Sequence, residues 1–282
     1  MIKMDEHDQH VIEAMGKSKI LIKDGKVVEV SNPEIDYCPL FEKYRGIKKL
    51  DTKSITENIE FRIKDFGMCT PNRILRMKDF LSFGVSEILS TIIDDGLIDC
   101  VVAVCEGCGT VILTEPELIQ GVGGRVSGLV STSPLKEIIE SLGRENILDP
   151  EKCKIDQLEG VKKAVNMGYK NIAVTIVSAR DAQKLRELEK ELKDVNIYIF
   201  VVHTTGLSEE EAETLFDRAD IITGCASKTI RKTGENRQTF SVGASIPIYG
   251  VTEAGKKFID IRVTKIGGLK DKKDAKLPEP LI

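Results

Sequence analysis

Residues 98–113 read IDCVVAVCEGCGTVIL. The first eight are apolar almost without a break. They do not alternate with polar residues, as a strand with one wet face would. Such a run marks a strand buried on both faces, which is the habit of parallel sheets. NIAVTIV at 171–177, NIYIFVV at 196–202 and ADIIT at 219–223 have the same texture. Amphipathic helices separate them. Leu135, Ile138, Ile139 and Leu142 form one apolar stripe, and Ile155, Leu158, Val161 and Val165 another. Leu185, Leu188 and Leu192 form a third, and Ser208 with Glu211 caps a fourth helix. Strand alternating with helix predicts an α/β fold, with a mostly parallel, doubly wound sheet over about 97–225.

Outward from this core the signals weaken. KILIKDGKVVEV at 19–30 predicts a hairpin around Asp24-Gly25. Ser54 and Glu57 have capping-box spacing and predict a helix with Ile55, Ile59, Ile63 and Phe66 on one face. Thr70-Pro71 predicts the start of a long helix striped by Ile74, Met77, Leu81, Val85, Ile88 and Ile92, with Cys69 just ahead of its N-terminus. From about Gln238 the chain reads as β, including KFIDIRVTKI. The organisation expected is a hairpin-plus-helices region (1–96), an α/β domain with a C-terminal β extension (97–265) and a loose charged tail (266–282), forming one unit.

Composition excludes some functions. The 282 residues carry a net charge of −4, with no basic field for nucleic acid. No apolar run reaches the ~20 residues needed to span a bilayer, and the polar N-terminus lacks a signal-peptide core, so a cytoplasmic protein is expected. In that compartment the seven cysteines read as thiols or ligands rather than disulfides.

Ligands in open parallel sheets bind at the carboxyl ends of the strands. The four strands end in Cys105 and Cys108; in Ser178, Ala179 and Arg180; in His203, Thr204 and Thr205; and in Gly224, Cys225 and Ser227. Cys105-Glu106-Gly107-Cys108-Gly109 can supply two thiolates to a metal ion or an iron–sulfur cluster. No second Cys pair completes a zinc ribbon, so further ligands must come from Cys69, Cys38 or Cys225. A redox pair and two buried thiols are the rival readings. Cys100 reads as core and Cys153 as incidental. His203 and Cys225 are the candidate catalytic groups. Gly121, Gly123, Gly124 and Arg125, followed by Ser133, predict a loop able to wrap an anion, although the spacing matches no nucleotide fingerprint.

HVIEAMGKSKILIKDGKVVEV (10–30), IDYCPLFEKYRG (35–46), FRIKDFGMCTPNRILRMKDFLSFGVSEILS (61–90) and VAVCEGCGTVILTEPELIQGVGGRVSGLVSTSP (102–134) together resemble the archaeal family called methanogenesis marker protein 8. The resemblance implies an anaerobic methanogen and tilts the Cys105/Cys108 site towards an iron–sulfur cluster, with zinc or no metal as alternatives. It carries no assigned catalytic residues. The leading expectation is an accessory or maturation protein of methanogenesis, whose client could be methyl-coenzyme M reductase or its maturation machinery. An enzyme acting on a small anionic substrate through Cys or His at the strand ends is the second reading. A non-catalytic scaffold is the third.

Overall fold

The computed structural model describes residues 8–79, 81, 83–124, 128–269 and 275–282. The chain opens with three antiparallel strands, β1 (Gln9–Ala14), β2 (Ser18–Lys23) and β3 (Lys26–Val30). Asp24 and Gly25 turn the second hairpin with φ of 47° and 68°, the left-handed pair that a two-residue turn needs. Ile12, Ala14, Ile20 and Ile22 point inward with a period of two. Two helices follow, α1 (Pro39–Arg45) and α2 (Thr52–Phe66). The capping box of α2 lies three residues earlier than Ser54 and Glu57 suggest. Asp51 accepts from the Ser54 N–H at 2.8 Å, and the Ser54 hydroxyl accepts from the Asp51 N–H at 3.0 Å. Ile55, Ile59 and Phe66 then face the strands as expected.

The long helix predicted after Thr70-Pro71 does not form in its first half. Thr70 closes a turn instead, its hydroxyl donating to the Gly67 carbonyl at 2.8 Å and accepting from Asn72 N–H at 3.2 Å. Beyond it the backbone bonds outward, Ile74 N–H to Phe66 O and Met77 N–H to Glu117 O. Tertiary partners therefore override local propensity. Only the second half is helical, as α3 (Val85–Asp94).

The large sheet begins with β4 (Cys100–Cys105) and β5 (Gly109–Leu113), a tight antiparallel hairpin. Then come α4 (Pro116–Gly123), β6 (Gly128–Thr132), α5 (Lys136–Leu142), α6 (Gln157–Asn166), β7 (Asn171–Ile176) and α7 (Ala179–Glu191). The chain continues with β8 (Asn196–Val201), α8 (Glu209–Arg218), β9 (Ile221–Thr223), α9 (Lys228–Asn236), β10 (Ser241–Val242), β11 (Ile248–Gly250) and α10 (Glu253–Lys265). The order is β10-β11-β9-β8-β7-β4-β5. The central pairings β4–β7, β7–β8 and β8–β9 are parallel, as the apolar runs predict, and both edges are antiparallel. One face packs against Val161, Ala182, Leu185, Leu215 and Ile230 from α6 to α9. The other packs against Ile88, Ile92, Ile119, Val122, Phe258 and Ile259 from α3, α4 and α10.

Three further differences bear on the site. KFIDIRVTKI is helical, not β. Thr252 caps α10, and Phe258, Ile259 and Arg262 recur at helical spacing, with the Phe258 ring 5.0 Å from that of Tyr198. Residues 121–123 and 128–132 are not a loop. Gly121 and Gly123 belong to α4, and β6 leaves the large sheet to pair with β1, giving a second sheet of order β3-β2-β1-β6. The end of the tail is docked rather than loose: Asp36 and Tyr37 donate to Glu279 O, and Ile282 donates to Ala226 O. Among the described residues, no helix is long and apolar enough to cross a membrane.

The two glycines of α4 should behave oppositely. A Cβ on Gly121 would lie 1.7 Å from the Leu75 carbonyl oxygen, whereas one on Gly123 meets nothing nearer than the Ser86 Cβ at 3.6 Å. Gly121→Ala should cost about 3 kcal/mol in urea unfolding. Gly123→Ala should change stability by less than about 1 kcal/mol. Equal effects would contradict the α4 placement.

Candidate functional site

The cysteines do not gather at one point. Cys105 pairs with Gly109 across the hairpin, so residues 106–108 form the turn, with φ of 85° at Gly107 and 74° at Gly109. The second glycine is obligatory, because a Cβ there would stand 2.3 Å from the Cys153 carbonyl oxygen. Cys105 and Cys108 are fully buried and hydrogen-bonded to each other. Their thiols also approach main-chain carbonyls, Cys105 Sγ to Glu106 O at 3.3 Å and Cys108 Sγ to Gly109 O at 3.7 Å. The bond to Cys108, burial and the Glu106 charge hold the Cys105 thiol well above its ordinary pKa. Burial and Glu106 do the same to Cys69. Cys69 therefore gains no thiolate stabilisation from a helix N-terminus, since no helix starts there.

Cys153 corrects its reading as incidental. It is buried, its Sγ donates to the Gly107 carbonyl at 3.5 Å, and burial with the nearby Cys108 pushes its pKa to about 12. Nothing in the DPEKCK pattern signals this; the contact is made by the turn folding over β5.

Glu106, inside the motif, is committed elsewhere. Its carboxylate accepts from Arg73 Nε at 2.6 Å, with both side chains shut from solvent. Arg73 also donates to Gly121 O at 2.6 Å and lies over the Phe66 ring at 4.7 Å.

Cys38 and Cys225 lie apart from this cluster and near each other, close enough for charge on Cys225 to raise the Cys38 pKa. Cys38 precedes α1, and the N–H groups of Leu40 and Phe41 face its sulfur. The proposed set of Cys38, Cys69, Cys105, Cys108 and Cys225 thus splits in two. Among the described residues, no three His, Cys, Asp or Glu side chains are placed to hold one metal ion. These donors do not fit a four-ligand metal or an iron–sulfur cluster.

Cys225 and His203 share a different setting. A cleft of about 1210 Å³ runs along the carboxyl ends of β7, β8 and β9. Val177, Val202, His203, Thr223 and Cys225 form one wall; Glu13 and Leu129 of the smaller sheet, Leu40 of α1 and the first turn of α3 form the others. Of the seven cysteines, Cys225 alone is not buried. Both residues have left-handed backbone, φ 56° at His203 and 39° at Cys225, a strained state for non-glycine residues that clusters at functional sites. The N–H groups of Thr204 and His203 and the Thr204 hydroxyl face the Cys225 sulfur, and Arg231 lies nearby. Burial outweighs them and raises the thiol above its ordinary pKa. Burial lowers that of His203, leaving a neutral imidazole at pH 7. Among the described residues the imidazole has no hydrogen-bond partner.

Two other rim residues, Ser178 and Ser227, are capping groups. Ser178 accepts from Asp181 N–H at the start of α7, and Ser227 from Ile230 N–H at the start of α9. Of the residues expected to form an anion loop, Gly121 and Gly123 are helical, Gly124 ends α4, and Arg125 lies outside the described residues. Ser133 exchanges hydrogen bonds with the Gln9 backbone, both at 2.9 Å.

The fold and cleft define an α/β protein with a ligand-sized pocket at the carboxyl rim of its sheet. Residues 10–264 match the model of a family described as an uncharacterized protein conserved in archaea, DUF2099, and the chain belongs to that family. It is similar to the uncharacterized protein MJ0054 of Methanocaldococcus jannaschii, 42% identical over 255 residues, or 89% of each chain. No solved structure matches.

Two measurements check this geometry. Arg73→Met, which leaves Glu106 buried and unpaired, should cost about 3–5 kcal/mol, and adding Glu106→Gln should recover part of it; a loss near zero would contradict a buried pair. Under iodoacetamide, Cys225 should be labelled first, at a rate still rising beyond pH 9 because its thiol is held above the reference 9.0. A plateau below pH 8, or equal labelling of Cys105, would contradict the assignment.

Proposed function

We propose that the protein is an enzyme acting on a small organic molecule held in the strand-end cleft, with Cys225 as nucleophile and His203 as proton acceptor. One observation carries this: the cleft brings Cys225, the one cysteine that is not buried as a residue, and a neutral imidazole to the same rim. The walls are mostly apolar, through Leu40, Val177, Leu129 and Val202, so they suit the body of an organic ligand. The N–H groups facing the Cys225 sulfur favour its thiolate once a base removes the proton. A neutral imidazole in the same cleft is chemically suited to that removal. On the resemblance alone, the setting is a step of methanogenesis, with methyl-coenzyme M reductase or its maturation machinery as the client to test.

The neutral fluorophore N-phenylnaphthylamine tests the cleft. The folded protein should bind one molecule per chain, and bound probe should slow alkylation of Cys225. Val130→Trp and Val177→Trp place bulk at exposed lining positions and should weaken binding at least about tenfold, which corresponds to about 1.4 kcal/mol. A folded protein that ignores the probe, or variants that bind it unchanged, would overturn the proposal.

A further inference from the structure

Several polar side chains at the ends of β8 and β9 are committed to the protein's own backbone. Thr204 donates its hydroxyl to Thr223 O at 2.6 Å, and Thr205 Oγ1 accepts from Ala226 N–H at 3.2 Å. Ser227 caps α9. Thr223, the last residue of β9, differs. It lines the cleft, its hydroxyl oxygen is buried, and among the described residues that oxygen has no hydrogen-bond partner. A buried polar group without a partner is rare in folded proteins and calls for one. Strand alternation settles which way Thr223 faces. Ile222 packs on the α6 to α9 side of the sheet and Ile221 on the side of α3, α4 and α10. Thr223 therefore shares the face of Ile221, where Val85, Leu89 and Ile119 line the cleft with apolar side chains.

The free hydroxyl stands beside the reactive pair. The register of Val201 with Ile222 sets Thr223 next to Val202, the residue before His203. Gly224 alone separates Thr223 from Cys225. It is pressed against β11, donating to Pro247 O at 2.7 Å, and a Cβ there would lie 2.8 Å from Pro247 Cγ. A hydroxyl, a thiol and an imidazole thus meet the cleft at the ends of two neighbouring strands. We propose that the ligand is a carbonyl compound whose oxygen accepts a hydrogen bond from the Thr223 hydroxyl while its carbonyl carbon faces Cys225. This rests on the reading of the cleft as a ligand site with Cys225 as nucleophile, and it names the substrate class. A hydroxyl donates a hydrogen bond without adding charge, so it suits an uncharged acceptor with an apolar body. In the reacting step Cys225 gives its proton to His203. The sulfur electron pair forms the S–C bond, and the C=O π pair moves onto the oxygen that Thr223 holds, where a fixed donor stabilises developing charge. The proton then passes from His203 to that oxygen, giving a neutral tetrahedral adduct.

The test compares two fluorophores on the full chain. Prodan is a naphthyl ketone whose emission moves to longer wavelength when its carbonyl accepts a hydrogen bond, and N-phenylnaphthylamine has no carbonyl. Thr223→Val removes a buried unpaired hydroxyl, so the variant should fold with an unchanged or raised Tm. It should bind N-phenylnaphthylamine as the wild type does. It should bind Prodan about tenfold more weakly, the worth of one buried hydrogen bond, and with emission at shorter wavelength. Thr223→Ser keeps the hydroxyl and should retain both the affinity and the emission. If Thr223→Val does not fold, Thr223→Ala carries the same comparison. Prodan bound with equal affinity and unchanged emission after loss of the hydroxyl would overturn the inference. So would equal weakening of both probes, which marks a structural role, or a wild-type protein that binds N-phenylnaphthylamine but not Prodan. Failure of the wild-type protein to bind either probe would overturn the cleft reading beneath it.

Discussion

Arg73 and Glu106 bury opposite charges 2.6 Å apart inside the larger core, and much of the surrounding chain is arranged to permit it. Desolvating two ions is costly unless their remaining hydrogen-bonding groups are also served. The guanidinium meets this demand by reaching three elements: the hairpin turn through Glu106, α4 through Gly121 O and its own backbone through Ile74 O. With Arg73 drawn inward, the chain around it cannot also wind as a helix with Ile74 facing the core, and Ile74 is indeed 48% exposed. The helix start moves to Val85, where it meets the cleft. The close approach of Leu75 O to α4 then admits only glycine at 121.

The cleft is a consequence of connectivity. After α4 the chain leaves the large sheet, adds β6 beside β1 and returns. This places the smaller sheet opposite the carboxyl ends of β7, β8 and β9, so that Glu13 and Leu129 face Val202 and His203. The C-terminus ties the same region together, Ile282 bridging the backbones of Ala226 and Lys228. The strained residues His203 and Cys225 stand where these elements meet.

How far the sequence was legible differs from residue to residue. The parallel strands were clear because burial on both faces removes polar alternation, as in CVVAVC and NIAVTI. Ser208 and Glu211 were clear because a capping box is local. KFIDIRVTKI was misleading because a short apolar pattern fits both a strand and one face of a helix, and only packing against Tyr198 and Phe200 decides between them. The thiols were legible as reactive residues at strand ends but not as a set. Their meeting depends on how the turn of residues 106–108 folds against Cys153, and on how α1 docks near β9.

The sequence by itself determined the α/β class, the run of parallel strands and the presence of Cys225 and His203 at their carboxyl ends, because each depends on local periodicity and chain order. Tertiary structure alone decided that Cys105 and Cys108 are sealed beside an ion pair, that Cys225 opens on a cleft and that Gly121 and Gly123 are helical. Those outcomes turn on contacts between residues dozens of positions apart, such as Arg73 with Glu106 and Leu75 with Gly121. Close packing and the cost of unpaired buried charge select among arrangements that local pattern leaves equal.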